Sequence, residues 1–265
     1  MTLTMHPWNT GFEWEDRGVE AFDRDGFFVV PDLVPPDLLA AAVEACDDAE
    51  RRVDEFLQTQ QDGRIAIAET GAITFATHLV ARSDALRQLS KLPAILDLCA
   101  RLLGPDVNLY WDQAVYKKPE KPRRFPWHQD NGYTFVEPQQ YLTVWLALTD
   151  ATVDNGCPWV VPGMHRHGTL AHTYVEPLGW ECLSEPDGAV AAPVPAGGAV
   201  VFSSLTPHLT GPNTSAGVRK AYILQYAPAG AEALRGDPTK GPAAAREPAD
   251  APDRQYPVLR DGQAV

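Results

Sequence analysis

With 265 residues, 45% apolar and 22% charged, the chain has the composition of a soluble globular protein long enough to bury a sizeable core. Its formal charge of −13 speaks against nucleic acid and anionic membranes as partners, since both need clustered Lys and Arg, and disfavours a multiply phosphorylated substrate. No apolar stretch approaches the ~18 residues of a spanning helix. Met1-Thr2-Leu3-Thr4-Met5-His6 lacks the basic-then-apolar pattern of a signal peptide, and the four cysteines have no CxxC spacing. Buried thiols in a reducing cytoplasm are therefore expected, rather than a zinc site.

In chain order, Asp25-Gly26 precedes the short apolar run Phe27-Phe28-Val29-Val30, closed by Pro31, which predicts a strand. Pro35-Pro36-Asp37 then opens a helix with apolar positions Leu38, Leu39, Ala42, Val43 and Cys46. Ser83-Asp84 caps a helix around Leu86 and Leu89, and Leu92-Pro93-Ala94 leads into another that ends at Gly104-Pro105. From Asp106 the period changes to two. Trp111, Gln113, Val115 and Lys117 share one strand face; over 141–149, Leu142, Val144, Leu146 and Leu148 oppose Tyr141, Thr143, Trp145 and Ala147. Trp159-Val160-Val161, 199–203 and 218–226 are also strand-like, separated by Gly, Pro and Asn turns. After residue 227 the chain is rich in Pro, Ala, Gly and charge, which predicts a disordered tail or an irregular segment wrapped on the barrel.

Helices first and strands afterwards imply an α+β chain, with N-terminal helices packed on one face of a jelly roll. The expected organisation is a single domain: a mainly helical part with one early strand (1–105), a jelly-roll core (106–227) and an irregular C-terminal segment (228–265).

The chemistry concentrates in Phe125-Pro126-Trp127-His128-Gln129-Asp130. On an extended strand, positions i and i+2 share a face, so His128 and Asp130 can reach one metal ion while Gln129 points away. An imidazole plus a carboxylate suits Fe(II), and a second, distant histidine completes the face typical of non-haem iron oxygenases. His208, among turn residues after a strand, is the preferred third ligand. His165, His167 and His172 compete from a loop that reads as surface or supporting. Three protein ligands leave positions for a cosubstrate and O2. The distal carboxylate of a 2-oxoacid needs a cation, and Arg219 returns beside His208 and Thr210 after the turn at 211–215. Gln113 and Lys117 can meet cosubstrate or substrate from another wall. A lone His-x-Asp pair is more often a structural hydrogen bond; its combination with His208 and Arg219 favours a metal site.

Four motifs in order, WHQDxxY, YxTxW, DNGCPWVVPGMHRHG and PAGGAVVFSSLTPHLTGPNTS…R, preceded by DGFFVVPDLVPPDLL, resemble the phytanoyl-CoA dioxygenase family over about 22–226. The resemblance implies a double-stranded β-helix (jelly roll, cupin-like) core, and Fe(II), 2-oxoglutarate and O2 as cofactor and cosubstrates. It carries over His128, Asp130 and His208 as iron ligands, Arg219 and Thr210 as the carboxylate site, and Gln113, Lys117 and Trp145 as pocket-lining residues. Related halogenases replace the carboxylate ligand by a small residue, so Asp130 favours hydroxylation or a related oxidation.

Trp111, Phe125, Tyr133, Trp159 and His78 are candidate substrate contacts; aromatics at a barrel mouth can stack on sugars or apolar rings, although such residues are more often core. The implied function is oxidation of an unactivated C–H bond in a small or medium organic molecule, in antibiotic tailoring, by hydroxylation or oxidative cyclisation. A sugar-containing substrate or oligosaccharide is expected from the orthoester-forming, orthosomycin-type branch. Three other readings compete. An acyl-CoA hydroxylase needs a basic groove, for which only Lys117-Lys118 and 121–124 offer charge; a non-oxidative cupin-like metalloenzyme has no need of the Arg219 clamp; a binding protein has lost turnover. Oligomeric state is not legible.

Overall fold

A computed structural model describes residues 14–265; the segment Met1 to His6, read above for a signal peptide, lies outside the described residues. Four helices, α1 (Trp14–Asp25), α2 (Pro36–Gln58), α3 (Asp84–Ser90) and α4 (Pro93–Leu103), form one layer. Their ends follow local chemistry. Pro36 and Pro93 occupy first-turn positions where no intrahelical N–H is lost. The Ser83 side chain accepts a hydrogen bond from the Leu86 N–H at 3.3 Å, which caps α3. α4 stops at Gly104, whose φ of +106° suits a residue without a Cβ.

The helices cover one face of a ten-stranded sheet. Its main order is Phe27–Val30, Ala199–Ser203, Leu142–Ala147, Arg219–Pro228, Val107–Lys117 and Ile73–Thr77, all antiparallel. The period of two then sorts the side chains. Leu142, Val144, Leu146, Tyr222, Leu224 and Tyr226 join Cys46, Leu89, Leu98 and Cys99 in the core beneath the helices. Each fully buried leucine there contributes roughly 1.5–3 kcal/mol. Trp145, Ala147, Ala221 and Ile223 point the other way, toward Val160, Val190 and Ala191.

Those last residues belong to a small sheet of Val190–Ala191, Pro158–Val160 and His208–Thr210. The 125–128 segment extends it: Phe125 N–H donates to the Thr210 carbonyl at 2.8 Å, and His128 and His208 exchange both backbone hydrogen bonds at 2.9 and 2.8 Å. The large and small sheets enclose the barrel interior, and the architecture is the expected α+β double-stranded β-helix.

Two regions differ from their sequence reading. The part expected to be mainly helical also contributes Arg64–Ile65, Ala68–Glu69 and Ile73–Thr77 to the large sheet. Strands of two residues leave no readable period. After Pro228 the chain carries short strands between irregular stretches: Glu232–Arg235 pairs with Val136–Glu137 and Ala245–Pro248, and Tyr256–Arg260 pairs with the start of Val107–Lys117. Their prolines and exposed positions suit edges, where one side of the backbone needs no ladder partner. Among the described residues, no helix is long and apolar enough to cross a membrane.

Candidate metal and cosubstrate site

His128 and His208 form a directly opposed, hydrogen-bonded pair of antiparallel residues, so their side chains leave the sheet on one face. Their rings lie 4.1 Å apart. Each Nδ1 is 2.9 Å from the backbone carbonyl two residues earlier, Pro126 for His128 and Thr206 for His208. Nδ1–H donation to those carbonyls leaves both Nε2 lone pairs free to bind a metal. Burial, and then the neighbouring His208, push the His128 pKa well below its ordinary value, which keeps the neutral, ligating form.

Asp130 sits on the turn Asp130–Gly132 that follows the paired segment. Its Oδ1 lies 3.8 Å from His128 Nε2 and 3.6 Å from His208 Nε2. Ligand atoms of the three residues all fall within 4.8 Å of one another, the spacing of one metal site. Thr143 donates its hydroxyl to Asp130 Oδ2 at 2.5 Å and orients the carboxylate.

The turn itself is clamped from outside. Gln129 does point away: its Nε2 donates to the carbonyls of Gly168 at 2.9 Å and Leu205 at 2.6 Å, and its Oε1 accepts from the Leu170 N–H at 2.7 Å. His172 packs against Gly132 so closely that a Cβ there would lie 2.0 Å from its Cε1. His172 is thus a supporting residue, whereas His165 is buried with its Nε2 3.3 Å from the Asp23 carbonyl, and His167 is exposed.

A cavity of about 390 Å³ opens beside the triad and is lined by Gln113, Trp145, Thr210 and Arg219. Arg219 is 1% exposed. Its Nη1 donates to the Val115 carbonyl at 3.4 Å, the Trp145 ring lies 5.0 Å away, and among the described residues Nε and Nη2 have no partner. Burial pushes its pKa down to about 9, so the guanidinium stays charged at neutral pH. An unpaired buried cation is costly, and the arrangement fits a carboxylate at the free edge of the fork. The site as built suits a divalent metal with an anionic cosubstrate.

Of the candidate substrate contacts, Trp111, Phe125 and Tyr133 line the cavity. Phe125 stands edge-on to His128 at 4.7 Å and stacks with Tyr133 at 6.0 Å. Three expected residues lie elsewhere. The Lys117 ammonium donates to the carbonyls of Arg123, Thr210 and Gly211 and is a backbone latch, not part of the cavity wall. Trp159 pairs with Leu209, one position out of phase with the Val160–His208 pair, so it faces away from the cavity and packs beside Val161 and Leu209. His78 lies behind Trp111, its ring edge-on at 4.4 Å.

Sequence reasoning missed Thr143 and Gln225 as cavity residues, together with Ile65, Ile67, Ile73 and Phe75 at the outer wall. For Thr143 the signal was present, because it alternates with Leu142 and Val144 on the face that carries Trp145.

The phytanoyl-CoA dioxygenase (PhyH) family model matches residues 22–221. Phytanoyl-CoA dioxygenase domain-containing protein 1 of Danio rerio is 24% identical over 264 aligned residues, covering 79% of this chain and 88% of that protein. Among solved structures, the epimerase SnoN, in complex with Fe3+, alpha ketoglutarate and nogalamycin RO, has a TM-score of 0.68 at 23% identity, covering 94% and 96% of the two chains. The alpha ketoglutarate-dependent carbocyclase SnoK from nogalamycin biosynthesis has a TM-score of 0.70 at 21% identity, covering 98% and 100%. These likenesses agree with the double-stranded β-helix fold, and the chain belongs to the phytanoyl-CoA dioxygenase family of iron- and 2-oxoglutarate-dependent oxygenases.

Proposed function

We propose that this enzyme oxidises an unactivated C–H bond of a neutral small or medium organic molecule in natural-product tailoring. His128, Asp130 and His208 hold the iron, and Arg219 with Thr210 holds the distal carboxylate of 2-oxoglutarate. The observation that carries this reading is the buried Arg219 guanidinium, whose Nε and Nη2 have no partner among the described residues, in the same cavity as the triad. A metalloenzyme of non-oxidative chemistry has no use for such a clamp.

Bound iron, 2-oxoglutarate and O2 supply the oxidant that removes a hydrogen atom from the substrate, with release of CO2 and succinate. The chain supplies order. The Pro126 and Thr206 carbonyls fix the imidazole tautomers, and Thr143 fixes the Asp130 carboxylate. Phe125 and Phe202 pack against the two histidine rings at 4.7 and 4.4 Å and limit water around them. Arg219 sets the direction from which the cosubstrate enters. Hydroxylation and oxidative ring closure share the first hydrogen removal. The fold is found in both an epimerase and a carbocyclase, which supports an outcome set by how the substrate is held.

Charge pairing argues against an acyl-CoA. Lys118 is engaged by Glu50 and Asp54, Lys121 and Arg123 by Glu69, and Arg124 by Glu181, which leaves this basic run without free charge for phosphates. The apolar outer wall of Ile65, Ile67, Ile73 and Phe75 suits an apolar scaffold better than an extended oligosaccharide. The test is O2-dependent succinate formation from 2-oxoglutarate with Fe(II), with and without candidate scaffolds. Turnover that requires iron and O2 supports the reading; metal-dependent conversion of a scaffold without O2 overturns it.

A further inference from the structure

We infer that Gln225, with the β-bulge opposite it, forms a substrate subsite for a hydroxyl or carbonyl oxygen carried on a neutral ring. This rests on the proposed oxygenase reading and names the substrate class for that site.

Arg219, Ile223 and Gln225 alternate onto the cavity face of the strand Arg219–Pro228. Gln225 is only 7% exposed, and among the described residues its amide has no hydrogen-bond partner. The amide borders the cavity, where a ligand oxygen can take the place of water as its hydrogen-bond partner. Both an N–H donor and a carbonyl acceptor are available, which matches an alcohol, phenol or ketone and gives no advantage to an ion.

Its neighbours define the rest of the subsite. On one side Gln225 pairs with Thr143, the residue that holds Asp130, so the amide stands beside the metal-binding carboxylate. On the other side it pairs with Trp111, while Tyr226 pairs with Leu109. Tyr110 is the extra residue of this bulge, and the irregularity lets Tyr110 and Trp111 both line the cavity although they are adjacent in sequence. His78 braces the Trp111 ring from behind at 4.4 Å. Two aromatic side chains beside a free amide are the chemistry of a flat ring bearing one oxygen. Arg219 lies six residues away along the same strand, about 20 Å at an extended rise, so the amide end and the arginine end serve different ligands.

The test is equilibrium dialysis of 2-naphthol and naphthalene, a pair differing by one hydroxyl, against the anaerobic Fe(II)–2-oxoglutarate complex. Wild type, Gln225→Leu and the near-isosteric Gln225→Met are compared, each first titrated with 2-oxoglutarate. Wild type is expected to prefer 2-naphthol on the order of tenfold, and both variants to lower that preference to about twofold or less. Naphthalene affinity and 2-oxoglutarate affinity should stay unchanged, which also shows that the variants are folded. A preference that survives both substitutions, or no saturable 2-naphthol binding to wild type, overturns the subsite while an intact 2-oxoglutarate titration leaves the oxygenase reading standing. Weakened 2-oxoglutarate binding in the variants overturns it too, because Gln225 then belongs to the cosubstrate. Failure of wild type to bind 2-oxoglutarate overturns the oxygenase reading and the subsite with it.

Discussion

The Thr143 hydroxyl donates to Asp130 Oδ2 at 2.5 Å and leaves Oδ1 turned toward Nε2 of His128 and His208. A carboxylate free to rotate would lose that alignment whenever the site lacked metal. Thr143→Val, which keeps the shape and removes the donor, should therefore weaken Fe(II) or Co(II) binding by about ten- to a hundredfold. Thr143→Ser should recover most of it. Metal titration checks this, and unchanged affinity in the valine variant would show that Asp130 is held by other means.

Arg219→Gln should raise the concentration of 2-oxoglutarate needed for half-saturation on the order of a hundredfold, as expected for removal of a buried charged partner. Metal affinity should be unaffected, because Arg219 is not among the residues that converge on the ion. Separate titrations of metal and cosubstrate distinguish the two effects. A variant that lost metal but bound 2-oxoglutarate normally would contradict the division of labour.

Gly132→Ala should destabilise the turn that carries Asp130, because the new Cβ would lie 2.0 Å from His172 Cε1 and 2.2 Å from its Nε2. Overpacking of this kind costs roughly 1–3 kcal/mol or more. Trimming the obstacle in Gly132→Ala/His172→Ala should recover part of the loss, so thermal melts of the double-mutant cycle should be non-additive. Additive losses would mean that the two residues do not meet.

Metal-free protein should lose stability as the solution is acidified below about pH 6.5, the ordinary histidine value. Burial lowers the pKa of His172, whose Nε2 accepts from the Gln129 N–H at 3.1 Å, and lowers that of His128 much further. Both folded values lie below the unfolded one, so the unfolded chain takes up protons first. Stability is complete above that pH and is lost as pH falls through the depressed values. The Tm of the metal-free protein should be level near pH 7–8 and should decline below about 6.5. A Tm that rose on acidification would reverse the sign.

The His128–Asp130 pair was legible because its geometry is local: Gln129 between them is extended, although Asp130 itself opens a turn rather than continuing a strand. The turn before Arg219 returns that residue toward Thr210 in the same cavity. The fates of Lys117, Trp159 and His78 depended on information that no single strand carries. Trp159 faces outward because of the register of its strand against His208–Thr210, and a shift of one residue would have turned it inward. Lys117 shares a strand face with Gln113, yet three backbone carbonyls capture its ammonium before it reaches the cavity. Gln225 became visible only with the bulge at Tyr110, which follows from pairing two strands more than a hundred residues apart in sequence. The C-terminal strands were hidden for another reason: their residues borrow backbone partners from existing edges and need no hydrophobic alternation of their own.

The most direct measurement is an anaerobic titration of metal-free protein with Fe(II) and then 2-oxoglutarate, followed by visible absorption. A metal-to-ligand charge-transfer band that saturates with 2-oxoglutarate, and is absent in Asp130→Ala, is the predicted result. Metal binding without such a band, or an equally strong band in Asp130→Ala, would contradict chelation of 2-oxoglutarate at the His128–Asp130–His208 site.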